Sequence, residues 1–141
     1  MKLFLSLFLI LCSISSANAE LMAVVHKKNP VTSISKNDFV SFYTGKKTSW
    51  DSDQAVVLGM LDIKTDSGKE FFEKFMSMKE KKFIDHWVEL EIYGKGIAPL
   101  NFETPDKLFK FIENYKIGAL GFIQKKDAKS VPETIKLIKI N

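Results

Sequence analysis

The residues best suited to bind a ligand form one short stretch that directly follows an apolar run. The stretch offers two ammonium groups, two hydroxyls, one carboxylate and a glycine: Lys64, Thr65, Asp66, Ser67, Gly68 and Lys69. Ser67 and Glu70 fit an S-x-x-E capping box, which predicts that a helix begins here. Amide N–H groups at a helix start lack partners and carry partial positive charge, so they suit a small oxyanion. A plainly capped helix with solvated lysines is the alternative, and the residues alone leave both open.

Other residue types offer weaker candidates for chemistry. His86 and Glu89 are spaced i, i+3, beside Asp85, but no third ligand is in view, so we predict no metal site. The serine-nucleophile motif G-x-S-x-G is absent. We therefore predict no catalytic residue, no cofactor and no enzymatic activity. Trp50 lies in a polar segment, where it could anchor a ligand or partner or could pin the loop.

The composition of charged residues limits the kinds of ligand and partner that the protein can bind. All 21 basic residues are lysines, and the formal net charge of the 141-residue chain is only +4. Any anion site must therefore work without a guanidinium fork. Lysines alternate with acidic residues, as on a solvated face, which argues against nucleic-acid binding.

The first 19 residues are typical of a secretory signal peptide. Lys2 precedes an almost unbroken apolar run from Leu3 to Ile14, and Ala17-Asn18-Ala19 predicts cleavage after Ala19. The run is too short to favour a membrane-spanning helix. Residues 20–141 would then form one domain of 122 residues with a net charge of +3 and no cysteine, because Cys12 is removed. Export without disulfides is compatible with a periplasmic location.

Hydrophobic periodicity predicts an α/β domain with a mostly parallel central sheet and about four flanking helices. The predicted strands are 21–26, 55–61, 119–123 and an edge strand at 134–140. Helices are predicted from Ser35 to Gly45, from Ser67 onward, at 79–93, and from Thr104-Pro105 to Gly118. Ligands of such sheets bind beyond the carboxyl ends of the strands, where the Lys64–Lys69 stretch is expected to lie.

Several motifs, taken in order, resemble the phosphate-type substrate-binding proteins of ABC uptake systems. They run over about residues 23–123: Asn29-Pro30-Val31, Phe42-x-x-Gly45-Lys46, Trp50, Asp66-Ser67-Gly68, Tyr93-Gly94-Lys95-Gly96 and Gly118-Ala119-Leu120-Gly121-Phe122. The family's phosphate grip has an arginine, an aspartate and serine-glycine-threonine at a helix start. Here Lys64 and Lys69 stand at the arginine and threonine positions.

The resemblance implies one periplasmic-binding-protein-like (type 2) lobe, because a two-lobed protein needs about twice this length. It further implies phosphate or a similar small oxyanion as ligand, with residues 64–69 as its site, and a phosphate-type ABC transporter as partner. The alternative is a ligand-free periplasmic interaction module for a membrane transporter or sensor. A homodimer that rebuilds a two-lobed cleft is also left open.

Overall fold

The computed structural model describes residues 20–141, so the predicted signal peptide lies outside the described residues. Six strands form one sheet: β1 (Leu21–His26), β2 (Ser33–Ile34), β3 (Val57–Leu61), β4 (Leu100–Phe102), β5 (Ala119–Gln124) and β6 (Ile135–Ile140). The helices are α1 (Lys36–Tyr43), α2 (Asp66–Glu70), α3 (Glu80–Ile92) and α4 (Pro105–Tyr115). A π-helix, Phe71–Met76, continues α2, and short 3-10 turns lie at Lys116–Gly118 and Lys125–Ser130.

The sheet has the order β2-β6-β1-β5-β3-β4. Strand β1 pairs antiparallel with both β5 and β6, whereas the remaining neighbours are parallel. Five of the six strands therefore point the same way, and the predicted mostly parallel α/β sheet with four helices is confirmed. The prediction that 134–140 is an edge strand is wrong, because the two-residue strand β2 pairs outside β6.

Helices cover both faces of this sheet. The buried aromatic rings of α1, the π-helix and α3 pack with Phe122 of β5 on one face. Helix α4 packs on the other face, where Gly59 and Gly121 leave room for the Leu108 side chain. The polar atoms within this core are paired: the Tyr43 hydroxyl donates to the Gly59 carbonyl at 2.7 Å, and the Trp87 indole donates to the Tyr43 carbonyl at 3.0 Å.

Helix starts gather at the carboxyl edge of the parallel strands. Ser35 caps α1, Thr65 caps α2 and Thr104 caps α4, each accepting from the amide three residues on. The caps at Ser35 and Thr104 are those predicted from the sequence. No helix of residues 20–141 is long and apolar enough to cross a membrane.

Candidate functional site

The six predicted ligand residues lie in the turn from β3 into α2, at the carboxyl edge of the sheet. Lys64, Asp66 and Lys69 are exposed, Thr65 is half-buried, and Ser67 and Gly68 are buried. The turn is therefore a surface feature whose charged groups face solvent while its small residues face the protein. Whether the turn holds a ligand stays a prediction.

The N-cap of α2 is Thr65, so the predicted capping box of Ser67 and Glu70 is wrong. Thr65 has extended backbone angles, and its Oγ1 accepts from the Gly68 amide at 3.0 Å. The same hydroxyl donates to the Asp62 carbonyl at 2.6 Å. The Thr65 hydroxyl is therefore fully engaged within the turn. The amide N–H groups of Asp66 and Ser67 have no acceptor within residues 20–141.

Ser67 links the helix start to β5. Its buried Oγ accepts from the Gln124 amide at 3.0 Å, which leaves the hydroxyl proton free to be donated. Glu70 does not fold back over the helix start: its carboxylate accepts from the Gln124 side chain at 2.9 Å and pairs with Lys74 at 3.1 Å. Glu70 therefore does not lie over the start of α2, and Lys74 offsets part of its charge.

Gly68 is required by packing rather than by an opening toward solvent. A Cβ atom placed there would lie 2.0 Å from the Asp62 carbonyl oxygen, far inside van der Waals contact. The glycine thus lets α2 sit directly on the end of β3. Its amide is already taken by Thr65, so Gly68 does not offer an N–H group to a ligand.

Two carboxylates accompany the lysines of the turn. Lys126, from the 3-10 turn after β5, makes an ion pair with Asp66, and its ammonium hydrogen bond holds the pKa of Asp66 below its usual range. Hydrogen bonds from the Lys64 amide and then from the Asn101 side chain likewise lower the pKa of Asp62. An anion at this site would meet three ammonium groups but would compete with Asp66 for Lys126.

Sequence reasoning missed the residues that complete this site. Asn101 from β4, and Gln124 and Lys126 from the end of β5 and the turn after it, reach the site only through the fold, whereas Asp62 directly precedes the six predicted residues. The one local signal was Asp62 itself, an aspartate that directly follows a buried strand.

Trp50 and His86 have structural partners. The Trp50 side chain is 6% exposed, packs on Phe42 with ring centres 4.9 Å apart and donates from Nε1 to the Gly118 carbonyl. Of the two roles considered for Trp50, the structure therefore supports pinning of the loop. His86 Nε2 lies 2.7 Å from the Thr44 carbonyl oxygen. No group of three His, Cys, Asp or Glu side chains suited to a metal occurs within residues 20–141.

Comparisons with known proteins give matches among solved structures only. No protein-family model matches the chain, and no curated protein matches it. An ABC-type phosphate transport receptor from Vibrio cholerae is 20% identical, with a TM-score of 0.61, over 86% of this chain and 46% of that one. PstS from Borrelia burgdorferi is 11% identical, with a TM-score of 0.64, over 86% and 47%.

A third structure has its ligand. It is a Clostridium perfringens protein described as a phosphate ABC transporter substrate-binding protein, with bound phosphate; it is 16% identical, with a TM-score of 0.63, over 86% of this chain and 44% of that one. The chain spans less than half the length of each of these proteins. Identities this low establish shared architecture only. The resemblance seen in the sequence is thus confirmed for the fold: the chain folds like about half of a phosphate-type substrate-binding protein.

Proposed function

We propose that the protein is an exported, non-enzymatic substrate-binding-like protein that binds phosphate or a similar small oxyanion at residues 64–69. The observation that carries the proposal is the start of α2, where two free amide N–H groups lie among lysines at the carboxyl edge of the sheet. The shared fold supports phosphate as the first ligand to test, because the Vibrio cholerae and Clostridium perfringens structures are described as phosphate ABC transport proteins.

The proposed binding mode uses amides, one hydroxyl and point charges. The amides of Asp66 and Ser67 would donate to the anion, and the Ser67 hydroxyl has a proton to donate. Lys64 and Lys69 would add charge, but an ammonium group cannot bind two oxygens in a fixed fork as arginine does. We therefore expect weak discrimination between oxyanions of similar size and a steep loss of affinity with added salt.

Isothermal titration with phosphate, sulfate and acetate tests the ligand. We expect phosphate to release or absorb heat at millimolar concentration, and a double change of Lys64→Ala and Lys69→Ala to weaken binding at least tenfold. Both side chains are exposed, so the fold should survive. Lys81→Ala combined with Lys82→Ala on α3 removes the same charge elsewhere and should leave affinity within about twofold.

Two results would count against the proposal. An absence of heat with all three anions would refute oxyanion binding. Equal affinities of both double variants for phosphate would mean that the anion binds away from residues 64–69. Ser67→Ala is a less clean probe, because it also removes the acceptor of the Gln124 amide. Its far-UV circular dichroism must match that of the parent before its affinity is interpreted.

Export and a transporter partner are part of the same proposal. The predicted signal peptide implies a periplasmic protein that begins at Glu20, and the family resemblance implies that it serves a phosphate-type ABC uptake system. N-terminal sequencing of protein recovered from the periplasmic fraction tests the first point: any start other than Glu20 would contradict the predicted cleavage after Ala19. Light scattering after size exclusion would show whether two copies combine into a homodimer.

The second candidate function is an interaction module for a membrane transporter or sensor. It is supported by large apolar side chains left exposed on α3 and beside β4, among them Ile92 and Ile97, which are 76% and 81% exposed. Retention of the protein by membranes that carry a transporter, with no heat from any oxyanion, would favour this function over the first.

A further inference from the structure

A groove of about 190 Å³ lies between α3 and the segment that leads into β4. One side of the groove is formed by α3 and the other by Ala98-Pro99. Most of the residues that line it are apolar, among them Met60, Phe83, Ile84, Trp87, Val88 and Pro99. Ligand pockets for drug-sized molecules commonly measure ~300–1,000 Å³. This groove is smaller, so it suits one or two side chains of a partner better than a whole organic ligand.

Apolar side chains that line the groove are exposed to solvent. Ile84 and Val88 of α3 are 50% and 49% exposed. Single exposed apolar residues are ordinary on protein surfaces, but a contiguous set around a concavity is typical of an interaction site. The groove is therefore a candidate docking surface.

Two glutamates give the groove a charge of definite sign. Glu80 and Glu91 line it together with Ile84 and Val88, at spacings that place all four on one side of α3. Eleven residues of helix separate the two carboxylates by about 16 Å along the axis. No lysine lines the groove, although lysine makes up every basic residue of this net-positive chain.

The carboxyl end of α3 concentrates negative charge, and the first lysine beyond it is Lys95, whose ammonium lies 5.9 Å from the Tyr93 ring centre. The last turn of α3 carries Glu89 and Glu91 and no basic residue, whereas the negative end of a helix dipole favours positive charge. Glu91 is held in place, because its Oε1 accepts from the Ala98 amide at 2.9 Å. A cation docked beside Glu91 would offset the repulsion between the Glu89 and Glu91 carboxylates and the negative end of the helix dipole.

We propose that this groove docks a helical segment of a partner protein that has apolar side chains in its centre and a lysine or arginine at each end. The apolar residues would fill the groove over Trp87, and the basic residues would pair with Glu80 and Glu91. Docking of an amphipathic helix into an apolar groove is a common recognition mode. The inference does not depend on phosphate binding, since none of residues 64–69 lines the groove.

Two matched peptides test the proposal. Each is a twelve-residue alanine-based helix with leucine at positions five and eight; one has lysine at both ends and its twin has glutamate. Fluorescence anisotropy with labelled peptides should show saturable binding of the lysine peptide and at least tenfold weaker binding of its twin. Binding of both peptides with equal affinity, or of neither at millimolar protein, would overturn the proposal.

Charge-matched protein variants locate the site. Glu80→Gln with Glu91→Gln should weaken binding of the lysine peptide at least tenfold. Glu73→Gln with Glu133→Gln makes the same change in net charge at exposed positions outside the groove and should alter affinity less than threefold. Glutamine at position 91 can still accept from the Ala98 amide, so the fold should persist. Equal losses in the two double variants would mean nonspecific attraction and would refute a site in the groove.

A second copy of the chain is the competing occupant. Light scattering of the protein alone over a hundredfold range of concentration measures self-association, and Ile84→Ser with Val88→Ser removes the apolar rim. If the protein dimerises and the Ile84→Ser, Val88→Ser variant does not, the groove is a self-association surface and the proposal of a separate partner protein is refuted. A monomer throughout, together with loss of peptide binding in the rim variant, would support the proposal.

Discussion

Replacement of Gly68 by alanine should destabilise the protein strongly, although the same change in an open helix is favourable. The new Cβ would lie 2.0 Å from the Asp62 carbonyl oxygen, and contacts of this type are essentially never shorter than 3.0 Å. The start of α2 must therefore move at least 1.0 Å away from the end of β3. Backbone atoms lie on both sides of the clash, so no side chain can turn aside.

The cost follows from the bonds that hold α2. A shift of this size would break the 3.0 Å bonds from the Gly68 amide to Thr65 and from the Gln124 amide to Ser67. Each bond contributes about 1 kcal/mol, and overpacking costs about 1–3 kcal/mol more. Alanine returns about 1 kcal/mol of helix propensity. We expect a net loss of about 2–4 kcal/mol in the free energy of unfolding.

Urea denaturation followed by circular dichroism measures this loss, provided that the slope with urea is unchanged. Gly94→Ala is the matched control, because a Cβ there meets nothing within 4 Å and only the positive φ of 66° is penalised. The control should lose about 1–2 kcal/mol. If Gly68→Ala lost less than the control, α2 would not sit on β3 as described, and the glycine would have to serve another purpose, such as close approach of a ligand.

Three further outcomes can be checked. Tyr43→Phe should cost about 1 kcal/mol by removing the hydrogen bond to Gly59. Because burial raises the pKa of Tyr43 well above its usual value, parent stability should also fall as the pH rises above about 10, more steeply than in the variant, and parallel pH profiles would contradict this. Trp50→Phe keeps an aromatic ring but loses a hydrogen bond to a backbone carbonyl and part of the buried indole packing, so a loss of at least about 1 kcal/mol in urea unfolding is expected, and no loss would argue against its role in pinning the loop. Asp66→Asn should tighten phosphate binding in calorimetry by freeing Lys126, and weaker binding would show that the carboxylate assists rather than competes.

Local sequence signals were sufficient to predict the elements whose boundaries are set by neighbouring residues, such as capping residues. The apolar run Leu21–His26 was predicted with its observed bounds. Ser35 before α1 and Thr104-Pro105 before α4 are caps whose geometry depends on neighbouring residues alone. Such features can be predicted because the interacting groups are three residues apart.

The edge strands could not be predicted from the sequence. β2 has two residues and β4 has three, too few to show any alternation, and each exists only because a longer strand pairs with it. Failure to foresee β2 led directly to the wrong edge assignment for β6.

The candidate site was located by sequence, but its internal bonding was not. The S-x-x-E pattern predicted Ser67 as the cap, whereas the helix is capped by Thr65, two residues earlier. Ser67 instead bonds to Gln124, which is 57 residues away along the chain, so only the folded sheet could decide between them. The buried role of Gly68 has the same origin.

The position of β1 at the centre of the sheet has a consequence for how the chain folds. Both of its neighbours, β5 and β6, are formed by residues 119–140, about a hundred positions further along. Until those residues are available, the first strand has no partner on either side, and the central pairings close the longest loops in the domain. Loop closure of this kind slows folding. A chain crossing a membrane from its amino end would therefore complete its sheet only after nearly its whole length had emerged.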